Sequence, residues 1–264
     1  MTILHTLTVG ELNAPPVVFL HGFLGCGADW AEIMAALAAD FFCVAPDLPG
    51  HGQPIGDGDI GWADSAESLL HTLDALHLTP AALVGYSLGG RLALYLALRQ
   101  PERFTSLLLE SASPGLRSPA ERAARRASDE RLALELEQGD FDAFLERWYR
   151  QPLFAGLAQH PRFARAQQLR RSNDPRALAR ALRGLSAGAQ PTLWREWPDC
   201  RLPVWLVAGE ADEKYVGISA EMSRLNPAAH RHILPGCSHN THLQAPDAFL
   251  AVLRPFLLAC ARRG

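Results

Sequence analysis

Lysine is almost absent from this sequence. Lys214 is the only lysine among 25 lysines and arginines, so arginine supplies nearly all of the positive charge, against 28 acidic residues. The resulting formal net charge of −3 at pH 7 gives no electrostatic reason to expect nucleic acid as a partner.

The sequence also lacks the cysteine patterns of a disulfide framework or a zinc site. Its five cysteines are odd in number, widely spread, and form no C-x-x-C pair. We interpret each of them as a small buried or half-buried residue in a reducing compartment: Cys26, Cys43, Cys200, Cys237 and Cys260.

Long apolar runs are missing as well. No stretch approaches the roughly 18 to 20 apolar residues that a membrane-spanning helix needs. The first ten residues show no basic region followed by an apolar run, so no secretory signal is visible. We therefore expect a cytoplasmic protein with no membrane partner.

What the sequence does contain is an alternation of strand-like and helix-like segments, which is typical of a parallel sheet covered by helices on both faces. Short apolar runs bounded by turn residues predict buried strands at 17–20, 42–45, 81–84 and 105–109. The strand pattern returns at 202–208 and near Ile233. Helical spacing lies at 62–76, 91–99 and 246–260. With 48% hydrophobic residues, the chain can bury the core of one catalytic domain.

Between residues 116 and 200 this alternation stops. The segment contains no strand candidate, is rich in arginine, and is divided by prolines into short helices. We therefore predict an α/β core formed by residues 1–115 and 201–264, interrupted by a helical cap at 116–200.

A glycine-rich turn joins the third predicted strand to the helix that follows it. Its sequence, Gly85-Tyr86-Ser87-Leu88-Gly89, fits G-x-S-x-G in the strand-turn-helix context of an α/β-hydrolase nucleophile elbow. Small neighbours let the backbone pass closely on either side of the strained serine. The helix that begins there favours negative charge at its N-terminus. We predict that Ser87 is the reactive residue of an α/β-hydrolase fold.

An acid and a histidine must follow the serine in that order in this fold. Asp212 comes shortly after the strand at 202–208, with the spacing G-x-x-D, and Glu210 is the rival acid. His239 follows the turn glycine Gly236, and His242 is the competing histidine three residues later. We predict a triad of Ser87, Asp212 and His239.

Two backbone N–H groups must also point at the negative charge that develops during the reaction. Leu88, directly after the serine, supplies one candidate. Phe23, in the loop after the first long strand, supplies the other, because His21-Gly22 forms a turn that brings this backbone close. The predicted oxyanion hole is therefore the Phe23 and Leu88 amides.

Six motifs stand out along the chain: 85–91 (GYSLGGR), 47–52 (DLPGHG), 113–116 (SPGL), 147–152 (RWYRQP), 171–173 (RSN) and 236–240 (GCSHN). Together they resemble one particular family, the 2-succinyl-6-hydroxy-2,4-cyclohexadiene-1-carboxylate synthases of menaquinone biosynthesis. The resemblance covers essentially the whole chain, including the cap, where α/β hydrolases usually diverge. The elbow and loop motifs are shared by many hydrolases, and the cap motifs are the specific part.

The resemblance implies a cofactor-independent lyase that eliminates pyruvate from an enolpyruvyl cyclohexene carboxylate. Ser87, assisted by His239 and Asp212, would remove the proton beside the succinyl ketone. The same resemblance implies that a polycarboxylate substrate binds to Tyr86, Arg91, Arg125, Trp148 and Arg171. Planar guanidinium groups suit carboxylates well. Arg91 is also expected near the pocket floor because it lies one helical turn beyond Ser87.

Two other functions remain open from the sequence. The core motifs permit a hydrolase that uses Ser87 as a true nucleophile on an ester, thioester or carbon–carbon bond, although an arginine-bearing cap does not suit apolar esters. A catalytically idle ligand receptor is the second alternative, and the intact triad argues against it. The sequence does not indicate the oligomeric state.

Overall fold

The computed structural model describes residues 3–53 and 60–262; residues 1–2, 54–59 and 263–264 of the predicted core segments lie outside this description. A seven-stranded sheet with the order β1-β3-β2-β4-β5-β6-β7 forms its centre. All neighbouring strands are parallel except β1, which pairs antiparallel with β3. The strands are β1 (Thr6–Val9), β2 (Pro16–Leu20), β3 (Phe42–Pro46), β4 (Ala81–Tyr86), β5 (Phe104–Glu110), β6 (Val204–Gly209) and β7 (Ala229–Leu234).

Ten α-helices accompany the sheet in the described residues. They are α1 (Ala31–Leu37), α2 (Trp62–Ala75), α3 (Leu88–Arg99), α4 (Pro119–Gln138), α5 (Phe141–Tyr149), α6 (Phe163–Arg171), α7 (Pro175–Gly184), α8 (Glu213–Leu225), α9 (Thr241–Gln244) and α10 (Pro246–Ala261). Short 3₁₀ turns lie between several of them.

Helices cover both faces of the sheet, which explains why its central strands are continuous apolar runs. On one face α2, α3 and α8 bury side chains such as Leu69, Leu92 and Met222. On the other face α1 and α10 bury Ile33 and Leu253. The predicted α/β fold class, a mostly parallel sheet with helices on both faces, is confirmed.

Helices α4 to α7 lie between β5 and β6, and we call residues 116–200 the helical insertion. Three of its helices, α4, α5 and α7, begin at strong start signals. Ser118 and Glu121 form a capping box at α4, and Asp140 caps α5. Asp174 caps α7, with Pro175 at the first helical position. Prolines here thus start helices as well as divide them.

The insertion has its own small core, which also touches the sheet domain. Phe144, Leu145 and Leu178 pack together there, and the fully buried Leu24 from the loop after β2 belongs to the same cluster. This contact joins the insertion to the loop in which the Phe23 amide was predicted to act.

All five cysteines are buried and none forms a disulfide, as predicted. In the ranges 3–53 and 60–262, no helix combines the length and the apolarity needed to cross a bilayer.

Candidate active site

Ser87 lies on a strained turn between β4 and α3. Its φ of 50° and ψ of −108° are unusual for a residue with a side chain, and its N–H donates to the Glu110 carbonyl at 2.9 Å. Glycine is required beside it, because a Cβ on Gly89 would lie 2.3 Å from the Leu20 carbonyl oxygen. The turn therefore matches the predicted elbow.

The acid and the histidine come from two loops at the carboxyl ends of β6 and β7. These loops are joined by backbone contacts: the Ala211 N–H donates to the Cys237 carbonyl at 2.9 Å. A Cβ on Gly209 would lie only 2.1 Å from the Ser238 carbonyl oxygen, so glycine permits this close approach. The contact brings Asp212 and His239 to the same edge of the sheet.

Ser87, His239 and Asp212 form a continuous hydrogen-bonded chain. The His239 Nε2 lies 2.9 Å from the Ser87 Oγ, and its Nδ1 lies 2.6 Å from Asp212 Oδ2. The other Asp212 oxygen accepts the Tyr215 N–H at 3.3 Å, which fixes the orientation of the carboxylate. His239 and Asp212 are both about 98% shielded from solvent at their side chains. With the proton on Nδ1, Nε2 can accept the serine proton.

The rival acid and histidine have other partners. Glu210 is exposed and accepts the Gly236 N–H at 3.1 Å. His242 is buried, stacks on Trp30 at 4.0 Å between ring centroids, and places Nδ1 2.6 Å from Glu110 Oε2. Neither residue is the partner of Ser87 in this structure.

Glu110 forms a second buried acid–histidine pair beside the triad, which the sequence did not predict. Its other oxygen accepts the Thr241 N–H at 2.6 Å, the Thr241 hydroxyl at 2.7 Å and the His242 N–H at 3.0 Å. Burial alone would raise the pKa of Glu110, but the charge of His242 and these hydrogen bonds lower it below its ordinary value. The backbone of Glu110 thus holds Ser87, and its carboxylate holds the loop that carries His239.

The turn at residues 22–25, which we call the oxyanion turn, presents the Phe23 amide. The Gly25 N–H donates to the Gly22 carbonyl at 3.0 Å, so Phe23 occupies a central position whose N–H is not used by the turn. Leu88 is the first residue of α3, and its N–H has no acceptor within the helix. Both residues line the same cavity as Ser87.

His21 anchors the start of the oxyanion turn. Its Nε2 accepts the Leu48 N–H at 2.9 Å, so the proton is on Nδ1, which donates to the Gly22 carbonyl at 2.8 Å. Burial lowers the pKa of His21 and keeps the ring neutral. A neighbouring ring, His51, has its pKa lowered to about 3, chiefly by burial.

A cavity of about 630 Å³ lies between the sheet edge and the helical insertion. This volume suits a small-molecule ligand. Nine of the ten sequence-predicted site residues line it: Phe23, Tyr86, Ser87, Leu88, Arg91, Arg125, Trp148, Asp212 and His239.

Arg91 supplies positive charge to the floor of this cavity. Its guanidinium is buried, and within the described part of the chain it donates only to neutral oxygens, the Leu185 carbonyl at 3.3 Å and Gln190 Oε1 at 3.2 Å. Burial lowers its pKa to about 10, so the group remains protonated at neutral pH. A buried cation without an acidic partner is costly, and an anionic ligand would offset that cost.

The other two predicted arginines differ from each other. Arg125 lines the cavity, and its Nε donates to both oxygens of the buried Asp129 at 2.8 and 2.9 Å. Arg171 is absent from the described cavity wall; its side chain is 49% exposed, and its Nε donates to Asp142 at 2.6 Å. The structure thus does not bring Arg171 to the cavity with the other predicted site residues, because its side chain faces solvent and a surface acid binds the guanidinium; a substrate contact at Arg171 stays a prediction.

Sequence reasoning missed several residues of the cavity wall. Lys214 and Gln151 line the cavity. Lys214 is exposed and lies two residues after Asp212 in the sequence. The insertion also reaches the triad itself, since the His239 N–H donates to the Leu153 carbonyl at 3.3 Å and the Phe154 ring lies against the imidazole. The neighbouring motif at residues 151–152 was a signal for these contacts, but a motif alone does not indicate which atoms meet.

Within the part of the chain that the structure describes, no group of three or more His, Cys, Asp or Glu side chains is arranged to hold a metal ion.

Comparisons with known proteins show which proteins this chain resembles in sequence and in fold. The model of the Alpha/beta hydrolase family matches residues 17–252. The 2-succinyl-6-hydroxy-2,4-cyclohexadiene-1-carboxylate synthase of Enterobacter sp. (strain 638) is 34% identical over 248 residues, which are 94% of this chain and 93% of that protein. Protein PHYLLO, chloroplastic, of Arabidopsis thaliana is 34% identical over 94% of this chain, which spans only 16% of that longer protein. Among solved structures, MenH from S. aureus superposes with a TM-score of 0.92 at 30% identity, covering 97% of this chain and 98% of that one.

Proposed function

Because this chain belongs to the alpha/beta hydrolase family and, within it, to the 2-succinyl-6-hydroxy-2,4-cyclohexadiene-1-carboxylate synthases, we propose that its triad acts as a base and not as a nucleophile. The enzyme is a lyase of menaquinone biosynthesis. It eliminates pyruvate from 2-succinyl-5-enolpyruvyl-6-hydroxy-3-cyclohexene-1-carboxylate.

The proton transfer begins at Ser87. Its hydroxyl donates to His239 Nε2, and as the proton moves to the imidazole the serine oxygen takes the proton from the ring carbon beside the succinyl ketone. The Asp212 carboxylate, 2.6 Å from Nδ1, stabilises the imidazolium that forms. Two protons thus move in sequence, and no covalent bond forms between the enzyme and the substrate.

The electron pair of the broken C–H bond is first delocalised onto the ketone oxygen. The Phe23 and Leu88 N–H groups donate to this oxyanion, which is the developing charge that preorganised donors stabilise best. Collapse of the enolate shifts the ring double bond and breaks the carbon–oxygen bond to the enolpyruvyl group. The enolpyruvate that leaves takes up a proton and becomes pyruvate.

One observation carries this proposal: a buried, protonated Arg91, which has no acidic hydrogen-bond partner among residues 3–53 and 60–262, lines the same cavity as Ser87. Such a site favours a ligand with carboxylates, and this substrate has them on its ring, its succinyl arm and its enolpyruvyl group. Arg125, paired with Asp129, adds a second guanidinium to the cavity wall. Tyr86 and Trp148 add aromatic surface for the ring.

Pyruvate release tests the proposal. Purified protein is incubated with the enolpyruvyl substrate, and pyruvate is measured by coupling to lactate dehydrogenase. A panel of esters and thioesters is run in parallel, with Ser87→Ala as the control for both assays. Ester turnover without pyruvate release would overturn the lyase mechanism in favour of nucleophilic hydrolysis, and ligand binding without any turnover would favour a receptor.

We further propose that residues 1–115 and 201–264 act as the catalytic core and residues 116–200 as its cap. The five cysteines are buried and form no disulfide, which supports a reducing, cytoplasmic location.

A further inference from the structure

The oxyanion turn is held in a conformation that it would not adopt easily by itself. Leu24, its third residue, has a φ of 68°, a conformation that is strained for a residue with a side chain. Leu24 is also fully buried, so its side chain cannot move freely to relieve the strain. Contacts outside the turn must therefore stabilise it.

Asn173, which follows α6 in the helical insertion, makes the most direct of these contacts. Its Nδ2 donates to the Leu24 carbonyl at 3.0 Å and to the Arg170 carbonyl at 3.0 Å, and its Oδ1 accepts the Gly52 N–H at 2.8 Å. Asn173 is buried, with only 5% of its surface exposed to solvent. One amide thus joins the oxyanion turn, the loop after β3 and its own helix.

Arg170 supports the chain directly after the same turn. Its guanidinium is buried and is paired with Asp29, whose second oxygen accepts the Cys26 N–H at 3.2 Å. The Arg170 Nε also donates to the Tyr149 hydroxyl at 2.9 Å. Burial opposes the charge, but the Asp29 carboxylate and the tyrosine raise the pKa of Arg170, so it remains a paired cation. Residues of the insertion therefore bind the Leu24 carbonyl directly and, through Asp29, the Cys26 N–H that follows the turn.

We infer that Asn173 is a positioning residue that aims the Phe23 N–H at the oxyanion, and that Arg170 assists it. Neither residue lines the catalytic cavity in the described structure, so their effect passes through the backbone of the turn. The insertion then contributes to the chemical step itself, in addition to the substrate contact made by Arg125. This inference rests on the proposed function in assigning Phe23 as an oxyanion donor.

Asn173→Asp is the sharpest test, because it keeps the shape and the acceptor for Gly52 but places an oxygen against the Leu24 carbonyl. We expect kcat for pyruvate release to fall about 10- to 100-fold, less than the roughly 100- to 1000-fold loss of a whole oxyanion-hole donor. KM should stay within about threefold, because Arg91 and Arg125 are untouched. Ser172→Ala is the matched control: Ser172 is the exposed neighbour whose hydroxyl bonds only within its helix turn, and wild-type kinetics are expected.

A second measurement does not depend on the identity of the substrate. Phenylboronic acid adds reversibly to Ser87, forming an oxygen–boron bond while the serine proton passes to His239, and the tetrahedral boronate places an oxygen in the oxyanion hole. Its affinity should fall at least tenfold in Asn173→Asp and remain unchanged in Ser172→Ala. Because this readout needs no pyruvate release, it separates a failure of the inference from a failure of the proposed lyase activity.

Wild-type kcat and boronate affinity in a folded Asn173→Asp protein would overturn the inference, as would a loss confined to KM. If that variant does not fold, Asn173→Ala removes the three hydrogen bonds without adding repulsion and is judged by the same two measurements. A lower melting temperature with unchanged kcat and boronate affinity would reduce Asn173 to a structural role and also overturn the inference.

Discussion

The sheet core and the helical insertion build the same cavity from different kinds of interaction. In the core, strained turns and close glycine contacts bring Ser87, Asp212 and His239 together from three loops. In the insertion, arginines are abundant, but many are engaged by surface acids, as in the pairs of Arg147 with Glu135 and Arg183 with Glu130. Residue type alone therefore identified the chemistry of the core but not the binding residues of the insertion.

The comparison predicts that changes to core groups cost more activity than changes to groups of the insertion that face the substrate. Ser87→Ala should have the largest effect, a decrease in kcat of about a thousandfold or more, because the base itself is removed while the binding groups remain. Steady-state kinetics of pyruvate release, with substrate binding measured by calorimetry, would check this. Turnover close to that of the wild type would remove Ser87 from the chemistry.

Arg91→Ala should cause the second-largest loss of activity, because Arg91 belongs to α3 of the core. Losing a buried cation that pairs with a substrate carboxylate should cost about 2 to 4 kcal/mol in kcat/KM, or about 30- to 1000-fold. Arg91→Lys is the matched control, and it should recover only part of the loss because lysine keeps the charge but not the planar fork. A loss below about tenfold in Arg91→Ala would contradict the assignment.

Glu110→Gln tests the second acid–histidine pair of the core. We expect kcat to fall by about tenfold, because an amide nitrogen facing the Nδ1 of His242 disturbs the loop that carries His239.

The lowered pKa of Glu110 also predicts a change in acid stability. The wild type should lose stability as pH falls from the ordinary glutamate pKa through the lowered one, and the variant should lose less over that range. Thermal melts across pH 3 to about 7 measure this, and identical acid profiles would contradict the role of the ionised carboxylate.

Arg125→Ala and Arg171→Ala give the smallest effects and compare two arginines within the insertion. Arg125 lines the cavity, so its loss should cost about tenfold in kcat/KM, or about 1.4 kcal/mol. Arg171 is half-exposed and paired with Asp142, so its loss should cost less than about threefold. Equal losses for both would show that Arg171 reaches the substrate after all.

Much of the core could be predicted because its signals are local. Apolar runs predicted five of the seven strands, and a sixth was expected near Ile233. The G-x-S-x-G motif identified the elbow because backbone geometry demands those glycines. The short edge strand β1 was not predicted, since its four residues, Thr6–Val9, are only partly buried and carry a weak apolar pattern. Helices α1 and α8 were likewise not anticipated.

The orientation of the arginines could not be read in the same way. Arg170 and Arg171 are neighbours in sequence, yet one is buried against Asp29 and the other faces solvent. A shift of one residue on a helix turns the side chain by about 100°, and only the tertiary packing decides which of the two faces inward. The Glu110–His242 pair was missed for a related reason, because nothing local in the sequence links two residues that far apart.

Lys214 stands at the rim of the cavity as the only ε-amine of the chain. Because no other lysine of the sequence competes, coupling directed at ε-amines would modify this one side chain. A fluorophore attached there would sense ligands as they enter. A resin attached there would hold every molecule with its catalytic entrance against the support.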